Sequence, residues 1–311
     1  MTCVLIVGIN GAIGAAISSA LLDNGDEVIG FGRGHCRTRC SAYWNTGDGF
    51  SHLPTSILDN VDCVIYLAWP KLTRLLSGEY SSSSAISYQL AESFLNWASL
   101  KQGLRVILAS SGGAVYGDYQ RPVRETDRAL PNTSYGVEKL AVETLFNVHC
   151  KSYSHRLMIL RIANPYGFEL ASDAQTGFVD IALARIRAGL PVDLFASPST
   201  VRDFLYVGDL IQAFRAAIWY HGSEQIFNIG SGTGLSLATV CELISENFDG
   251  VCINDSSARD ALVPYSVLDV SRATRLLQWK PVVMLEAWLA TVSPLVATST
   301  GPNKSIRSGL R

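Results

Sequence analysis

Three glycines near the start of the chain, Gly8, Gly11 and Gly14, are spaced G-x-x-G-x-x-G. They follow the apolar run CVLIV and open the helical pattern AAISSALLDNG, so they stand where a buried strand turns into a helix. There the first glycine permits a tight turn, the second lets the backbone approach a pyrophosphate, and the third lets helix and strand pack closely. The diphosphate of a nucleotide would then lie against the positive end of the helix. A second pair, Tyr135 and Lys139 in SYGVEKL, stands at i and i+4 of another helical pattern and so shares one face. A tyrosine titrates near 10, and a nearby ammonium favours phenolate and lowers that value. The pair is therefore expected to act as acid or base near neutral pH. Each feature alone has a plain reading, an empty glycine turn or a surface Tyr–Lys pair. Together they point to nucleotide binding coupled to proton transfer.

The elements that must position these groups alternate along the chain. CVLIVG, EVIGFG, VDCVIYLAW and RVILASS are short, β-branched and continuous, as strands covered on both faces are. Helical patterns such as AISYQLAESFLNWASLKQG and YGVEKLAVETLFNVHC lie between them. Strands alternating with helices mean a parallel sheet joined by right-handed crossovers. A further strand is expected near LMILRIANPYG, a helix in TGFVDIALARIRAGLPV, and a short strand then a helix in FLYVGDLIQAFRAAIWYH. QIFNIG reads as a strand and DVSRATRLLQW as an amphipathic helix, with a mixed region from Leu235 to Asp269. The expected fold is α/β, a Rossmann-type doubly wound parallel sheet with a smaller C-terminal mixed α/β substrate domain. The dinucleotide-binding part is expected over 1–165 plus about 203–230, the substrate part over about 166–202 plus 231–295, and a mobile tail over 296–311.

With 311 residues, 48% hydrophobic and 17% charged, the chain can bury a large core and is not disordered. A formal charge of −2, from 25 basic and 27 acidic residues, argues against nucleic acid as partner, which leaves a basic footprint. No apolar run reaches the roughly 18 to 20 residues that span a bilayer, and the first stretch lacks a signal peptide's flanks. A cytoplasmic protein is expected, with no membrane partner. Its seven cysteines then have no oxidising compartment to pair in. Cys36 and Cys40, with His35 beside them, lack the two further ligands zinc needs, so no metal is expected.

The chain resembles the extended short-chain dehydrogenase/reductase superfamily. The glycine spacing and the Y-x-x-x-K pair carry that resemblance first. VIYLAW is similar to the strand ending in an L-A-x turn beside the cofactor, and SSGGAVYG to the segment carrying the third catalytic group. LRIANPYG and VRDFLYVGDL resemble segments whose Asn and Arg meet a nucleotide-sugar diphosphate, and ARDALVPYSVLDVSRATRLLQWKP resembles the closing segment with a second such arginine. Over roughly residues 2–290 the chain is similar to the NAD(P)-dependent sugar-nucleotide epimerases and dehydratases, UDP-glucose 4-epimerase-like members above all. The resemblance implies that Gly8, Gly11, Ile13, Gly14, Asp48, Leu67, Ala68, Tyr135 and Lys139 bind NAD(P), and that Asn164, Arg202 and Arg259 hold a nucleotide-diphosphate sugar. It implies that Tyr135 takes the proton of the sugar 4-hydroxyl, that Lys139 holds the nicotinamide ribose, and that the chain forms a homodimer. A nucleotide-sugar 4-ketoreductase using NADPH and a non-catalytic nucleotide-binding regulator are the other readings.

Two positions depart from the family pattern. Its catalytic Ser or Thr falls here on Gly112, which has no hydroxyl. Either Ser111 serves instead, with Ser110 one residue further back, or the hydroxyl role is lost; Ser111 is preferred because the base needs a positioned partner. The acid that NAD users often place at the end of the second strand is here Gly32, followed by Arg33. Glycine leaves room for a 2′-phosphate and a guanidinium can pair with one, so NADP acceptance is expected beside NAD. Asp203 is expected to hold Arg202 in place, and Asp209 to sit in the first turn of a helix. Tyr116 is expected to be structural.

Overall fold

The continuous apolar strands build one sheet because both of their faces are covered. In this computed structural model, which describes residues 1–47, 49–69, 80–168, 177–255 and 263–299, β1 (Cys3–Val7) leads through α1 (Ala12–Asp23) to β2 (Glu27–Gly32) and β3 (Ala42–Asn45). β4 (Cys63–Tyr66), α2 (Tyr80–Ala98), β5 (Arg105–Ser111), the single turn α3 (Gly112–Val115), α4 (Ser134–Ser152), β6 (Arg156–Ile162) and β7 (Asn164–Tyr166) follow. Then come α5 (Phe178–Arg187), β8 (Val192–Leu194), β9 (Val201–Tyr206), α6 (Val207–Trp219) and β10 (Ile226–Ile229). The last elements are β11 (Gly234–Ser236), α7 (Leu237–Asn247), β12 (Ile253–Asp255), β13 (Tyr265–Ser266), α8 (Ser271–Leu276) and α9 (Leu285–Ser299).

Seven strands pair in the order β3-β2-β1-β4-β5-β6-β10, all of them parallel. This is the expected Rossmann-type doubly wound sheet. Side chains alternate between its faces. Leu5, Val7, Tyr66 and Leu108 pack on Phe94 and Trp97 of α2 and Phe146 of α4. Val4, Ile6, Ile107 and Leu160 pack on Ile17 of α1 and Phe214 of α6. The strand order reverses at β1, which has β2 on one side and β4 on the other, and the crevice at such a reversal is where this fold binds ligands.

A second group of strands lies beside it, with β9 flanked by β11 and β13 and also paired with β7. Its core includes Tyr166, Leu183, Phe204, Val240 and Leu289. LMILRIANPYG is therefore two strands, β6 ending at Ile162 and β7 starting at Asn164 in the other sheet. The edge strand β3 is not legible in sequence because most of its side chains are exposed and give no apolar run. Helix α9 continues to Ser299, beyond the expected tail start at 296; the rest of that tail lies outside the described residues. Among the described residues no helix is long and apolar enough to cross a membrane.

Helix α4, which carries Tyr135 and Lys139, is held at three places, one of them on the sheet. Thr133 caps it, its hydroxyl accepting from the Gly136 N–H at 3.0 Å. Gly136 lies so close to α3 that a Cβ there would collide with the Ala114 carbonyl oxygen. Further along, buried Glu143 accepts two bonds from Arg161 of β6, at 3.1 and 2.6 Å. The Arg161 guanidinium lies 4.7 Å from the Tyr116 ring centroid, and the Tyr116 hydroxyl donates to Asn228 Oδ1 at 2.7 Å. Tyr116 is thus structural. Removing one partner of a buried ion pair leaves the other charge uncompensated, a cost of about 3 to 5 kcal/mol. Glu143→Ala should lose that amount in urea unfolding, and Glu143→Leu with Arg161→Met should recover most of it. A loss under about 1 kcal/mol, the scale of an exposed pair, would show that α4 is held elsewhere.

Candidate active site

The glycine turn forms a cradle without side chains. Gly8 has φ +92°, and a Cβ on it would lie 2.9 Å from Ala68 N and Leu67 C. A Cβ on Gly14 would lie 2.7 Å from the Gly8 carbonyl oxygen. Gly11 is the N-cap of α1; no side chain caps this end and its first turn holds no acid. The N-terminal N–H groups and the positive end of α1 are therefore open to an anion, and the residues present fit the diphosphate of a dinucleotide. A cavity of about 320 Å³ begins there and reaches Ser111, Tyr135 and Lys139. Gly8, Gly11, Ile13, Gly14 and Leu67 line it; Ala68 supports it through its contact with Gly8. A separate cavity of about 390 Å³ touches Arg105, Arg156 and His221 at the N-terminal ends of β5 and β6. Its Arg105 guanidinium donates to the Ile218 and Tyr220 carbonyls at the end of α6, which makes it a helix terminus rather than a reaction centre.

At the other end of the crevice, Ser111 closes β5 and hydrogen-bonds the Tyr135 phenol. Burial pushes that phenol up to about 12; Ser111 pulls it down and Glu138 adds to the rise. Lys139 is 4% exposed. Its Nζ lies 3.1 Å from the Trp69 ring centroid and 5.4 Å from the Tyr135 ring centroid. Burial holds the ammonium well below its usual value, against the pull of Glu138 and Glu143. The expectation that Lys139 brings Tyr135 down toward neutrality is thus corrected for the protein by itself. Burial is the largest influence on the phenol, and the Lys139 Nζ lies nearer the Trp69 indole face than the phenol ring. Tyr135 is a protonated phenol at neutral pH, able to donate.

Gly112 has a structural cause. A Cβ on it would lie 2.6 Å from Leu268 Cδ1 and 3.1 Å from the Arg161 carbonyl oxygen, so a serine there would have to displace the buried Leu268 side chain. Ser111 faces the phenol instead, whereas the Ser110 hydroxyl is buried with no hydrogen-bond partner among the described residues. Trp69, which sequence reading passed over although it ends VIYLAW, lines the cavity. Its indole N–H donates to the Ala109 carbonyl at 3.0 Å, which fixes the ring under Lys139. Pro165 and Phe168 add apolar lining.

The end of β2 is shaped by Asn10, also unforeseen. A Cβ on Gly32 would lie 3.0 Å from both Asn10 Nδ2 and the Tyr43 hydroxyl, which leaves little room for an acid. Arg33 and Arg37 are exposed and pair with no carboxylate among the described residues. In the second sheet Asn164 Nδ2 donates to the Asp203 carbonyl at 2.9 Å. Arg202 is half-buried and donates to the Val201 carbonyl at 2.8 Å. It is in register with Ser266 of β13, whose hydroxyl is 3.7 Å from where a Gly113 Cβ would be. Asp203 does not hold Arg202: alternation along β9 turns its carboxylate to Ser231 at 2.6 Å and to Gly232 and Leu268 at 3.2 Å. Asp209 is in the first turn of α6 and accepts from Val282 and Val283, each at 2.9 Å. Asp48 and Arg259 lie outside the described residues. Among the described residues no cluster could hold a metal ion.

The model of the NAD dependent epimerase/dehydratase family matches residues 4–230. The chain is 36% identical over 185 residues to dTDP-4-dehydro-6-deoxyglucose reductase of Escherichia coli, a match covering 58% of each protein's length. It is 28% identical over 305 residues to UDP-glucose 4-epimerase of Mycolicibacterium smegmatis, covering 92% of this chain and 96% of that one. Among solved structures, UDP-glucose 4-epimerase of Thermotoga maritima with UDP-glucose superposes with TM-score 0.82 at 25% identity, over 96% of this chain and all of that one.

The raised phenol gives a pH test. The phenolate absorbance that wild type has and Tyr135→Phe lacks should be missing at pH 10, where an ordinary tyrosine is half ionised, and emerge toward about 12. Ser111→Ala should move it higher still. A Tyr135 signal centred at or below 10 would contradict a desolvated phenol.

Proposed function

The chain belongs to the NAD dependent epimerase/dehydratase family, and we propose that within it the protein is a nucleotide-sugar 4-epimerase. It is an enzyme of the sugar-nucleotide epimerase, dehydratase and reductase kind. What supports the finer reading is the likeness to UDP-glucose 4-epimerase of Mycolicibacterium smegmatis over 92% of this chain, joined to the crevice holding Ser111, Tyr135 and Lys139 at one end and an uncapped helix N-terminus at the other. The part over 1–165 and about 203–230 would bind the dinucleotide, and that over about 166–202 and 231–295 the nucleotide sugar. Gly8, Gly11, Ile13, Gly14, Leu67 and Ala68 would hold the pyrophosphate end, and Lys139 the nicotinamide ribose. When bound, the nicotinamide supplies acceptance and return of the hydrogen at C4. With a dinucleotide bound, positive charge on its nicotinamide would favour the Tyr135 phenolate. As phenolate, Tyr135 would take the proton of the 4-hydroxyl and later give it back, with Ser111 holding the reacting oxygen. The apolar walls at Trp69 and Phe168 keep water from the intermediate. Arg202 and Asn164 would retain the sugar diphosphate while the 4-keto sugar turns over.

A 4-ketoreductase would use the same groups in one direction, and the 36% identity to a dTDP-4-dehydro-6-deoxyglucose reductase supports it. Epimerase activity needs no added reductant, so turnover of nucleotide sugars by the purified protein alone separates the two. A homodimer through α2 and α4 fits the exposed Tyr88, Val137 and Val148 on those helices. A cytoplasmic setting belongs to the same reading.

Tyr135→Phe keeps the ring and should lose turnover by about 10² to 10⁴-fold; Ser111→Ala should lower it while Ser110→Ala changes little. Near-normal activity of Tyr135→Phe would remove Tyr135 from the mechanism. Arg202→Ala should weaken nucleotide-sugar binding by about tenfold to a hundredfold, the worth of one charge-assisted hydrogen bond, and leave dinucleotide binding unchanged. Equal losses for both ligands would make Arg202 structural. We also propose that the protein accepts NADP as well as NAD, because Gly32 and Arg33 replace a repelling acid with a cation. Arg33→Ala should weaken NADP more than NAD in calorimetric titration, and a strong NAD preference unmoved by that change would contradict it.

A further inference from the structure

Two thiols lie beside the glycine turn and take no part in the chemistry above. Cys36 and Cys40 are on the loop between β2 and β3, with their sulfurs 3.4 Å apart. Both are free; Cys36 is exposed and Cys40 partly buried. Four of the other five cysteines, Cys3, Cys63, Cys150 and Cys241, are buried. The loop is tied to the turn through one side chain. Asn10, between Gly8 and Gly11, donates to the Arg33 and His35 carbonyls at 3.2 and 3.0 Å and accepts from the Arg37 N–H at 3.0 Å. The His35 and Arg37 bonds bracket Cys36, so a movement of Cys36 acts on the residue that shapes the turn.

We propose that Cys36 and Cys40 form a dithiol–disulfide pair, oxidised by a hydroperoxide, whose closure weakens dinucleotide binding. The binding half rests on the reading of the glycine turn given above; the disulfide half does not. The exposed Cys36 sulfur attacks one peroxide oxygen, the O–O bond breaks, and a sulfenic acid and one water result. The Cys40 sulfur then displaces that oxygen, forming the S–S bond and releasing a second water. Two thiols lose two electrons and two protons, and hydrogen peroxide is reduced to two waters. Burial and the neighbouring Cys36 push Cys40 up to about 11, which suits the second thiol rather than the attacking one. Closing 3.4 Å to about 2.05 Å takes the Cys36 sulfur from the Thr38 carbonyl it now contacts at 3.0 Å. A shift of Cys36 reaches Asn10 through the His35 and Arg37 bonds that flank it.

The test treats the full chain with one equivalent of hydrogen peroxide, maps peptides by mass, and titrates NAD and NADP before and after. The expected result is a peptide linking Cys36 to Cys40, lighter by two hydrogens, with both dinucleotides bound more weakly by about threefold to tenfold, the worth of one lost hydrogen bond. A reductant should restore binding, and Cys36→Ser with Cys40→Ser should bind like reduced wild type before and after peroxide. The absence of the linked peptide, or its formation with unchanged affinities, would overturn the proposal. Failure of reduced protein to bind either dinucleotide would overturn the binding half through the reading it rests on, with the linked peptide still visible.

Discussion

Two backbone segments touch where Gly136 meets the Ala114 carbonyl, and the relative position of the proposed reacting groups follows from that contact. Tyr135 precedes Gly136 at the start of α4, and Ser111 precedes the turn containing Ala114. Any side chain at 136 would push them apart and take the phenol from the serine hydroxyl. The Thr133 cap and the Glu143–Arg161 pair keep the helix pressed into this approach. The pair is buried, so it supplies a fixed geometry more than net stability.

The crevice has two electrostatic characters. At the glycine turn, backbone N–H groups and a helix end offer positive potential at no cost of a buried charge. At Tyr135 and Lys139, burial dominates and pushes both groups toward their neutral forms. A phenol at about 12 is a proton donor at neutral pH, and a ligand that brings positive charge or displaces Lys139 from Trp69 would alter that balance.

The doubly wound sheet was legible because CVLIV, EVIGFG and RVILASS carry their burial in local composition. The glycine turn and the Tyr135–Lys139 pair were legible because their function depends on short spacing. Trp69, Asn10 and Tyr43 were not, since each acts through contacts with residues distant in the chain: Lys139, the 33–37 loop and Gly32. The same holds for Gly112, whose missing side chain is explained by Leu268. The link from Asp203 to Arg202 was misread because neighbours along a strand face opposite ways.

The most direct measurement uses nucleoside diphosphate sugars deuterated at C4, given to the purified protein in ordinary water with no added reductant. Transient oxidation at C4 predicts a C4 epimer that keeps its deuterium at C4, because the hydrogen that leaves is the one that returns. An epimer that has exchanged its deuterium for solvent hydrogen would contradict the central claim, as would a folded, ligand-binding protein that forms no epimer from any of the sugars.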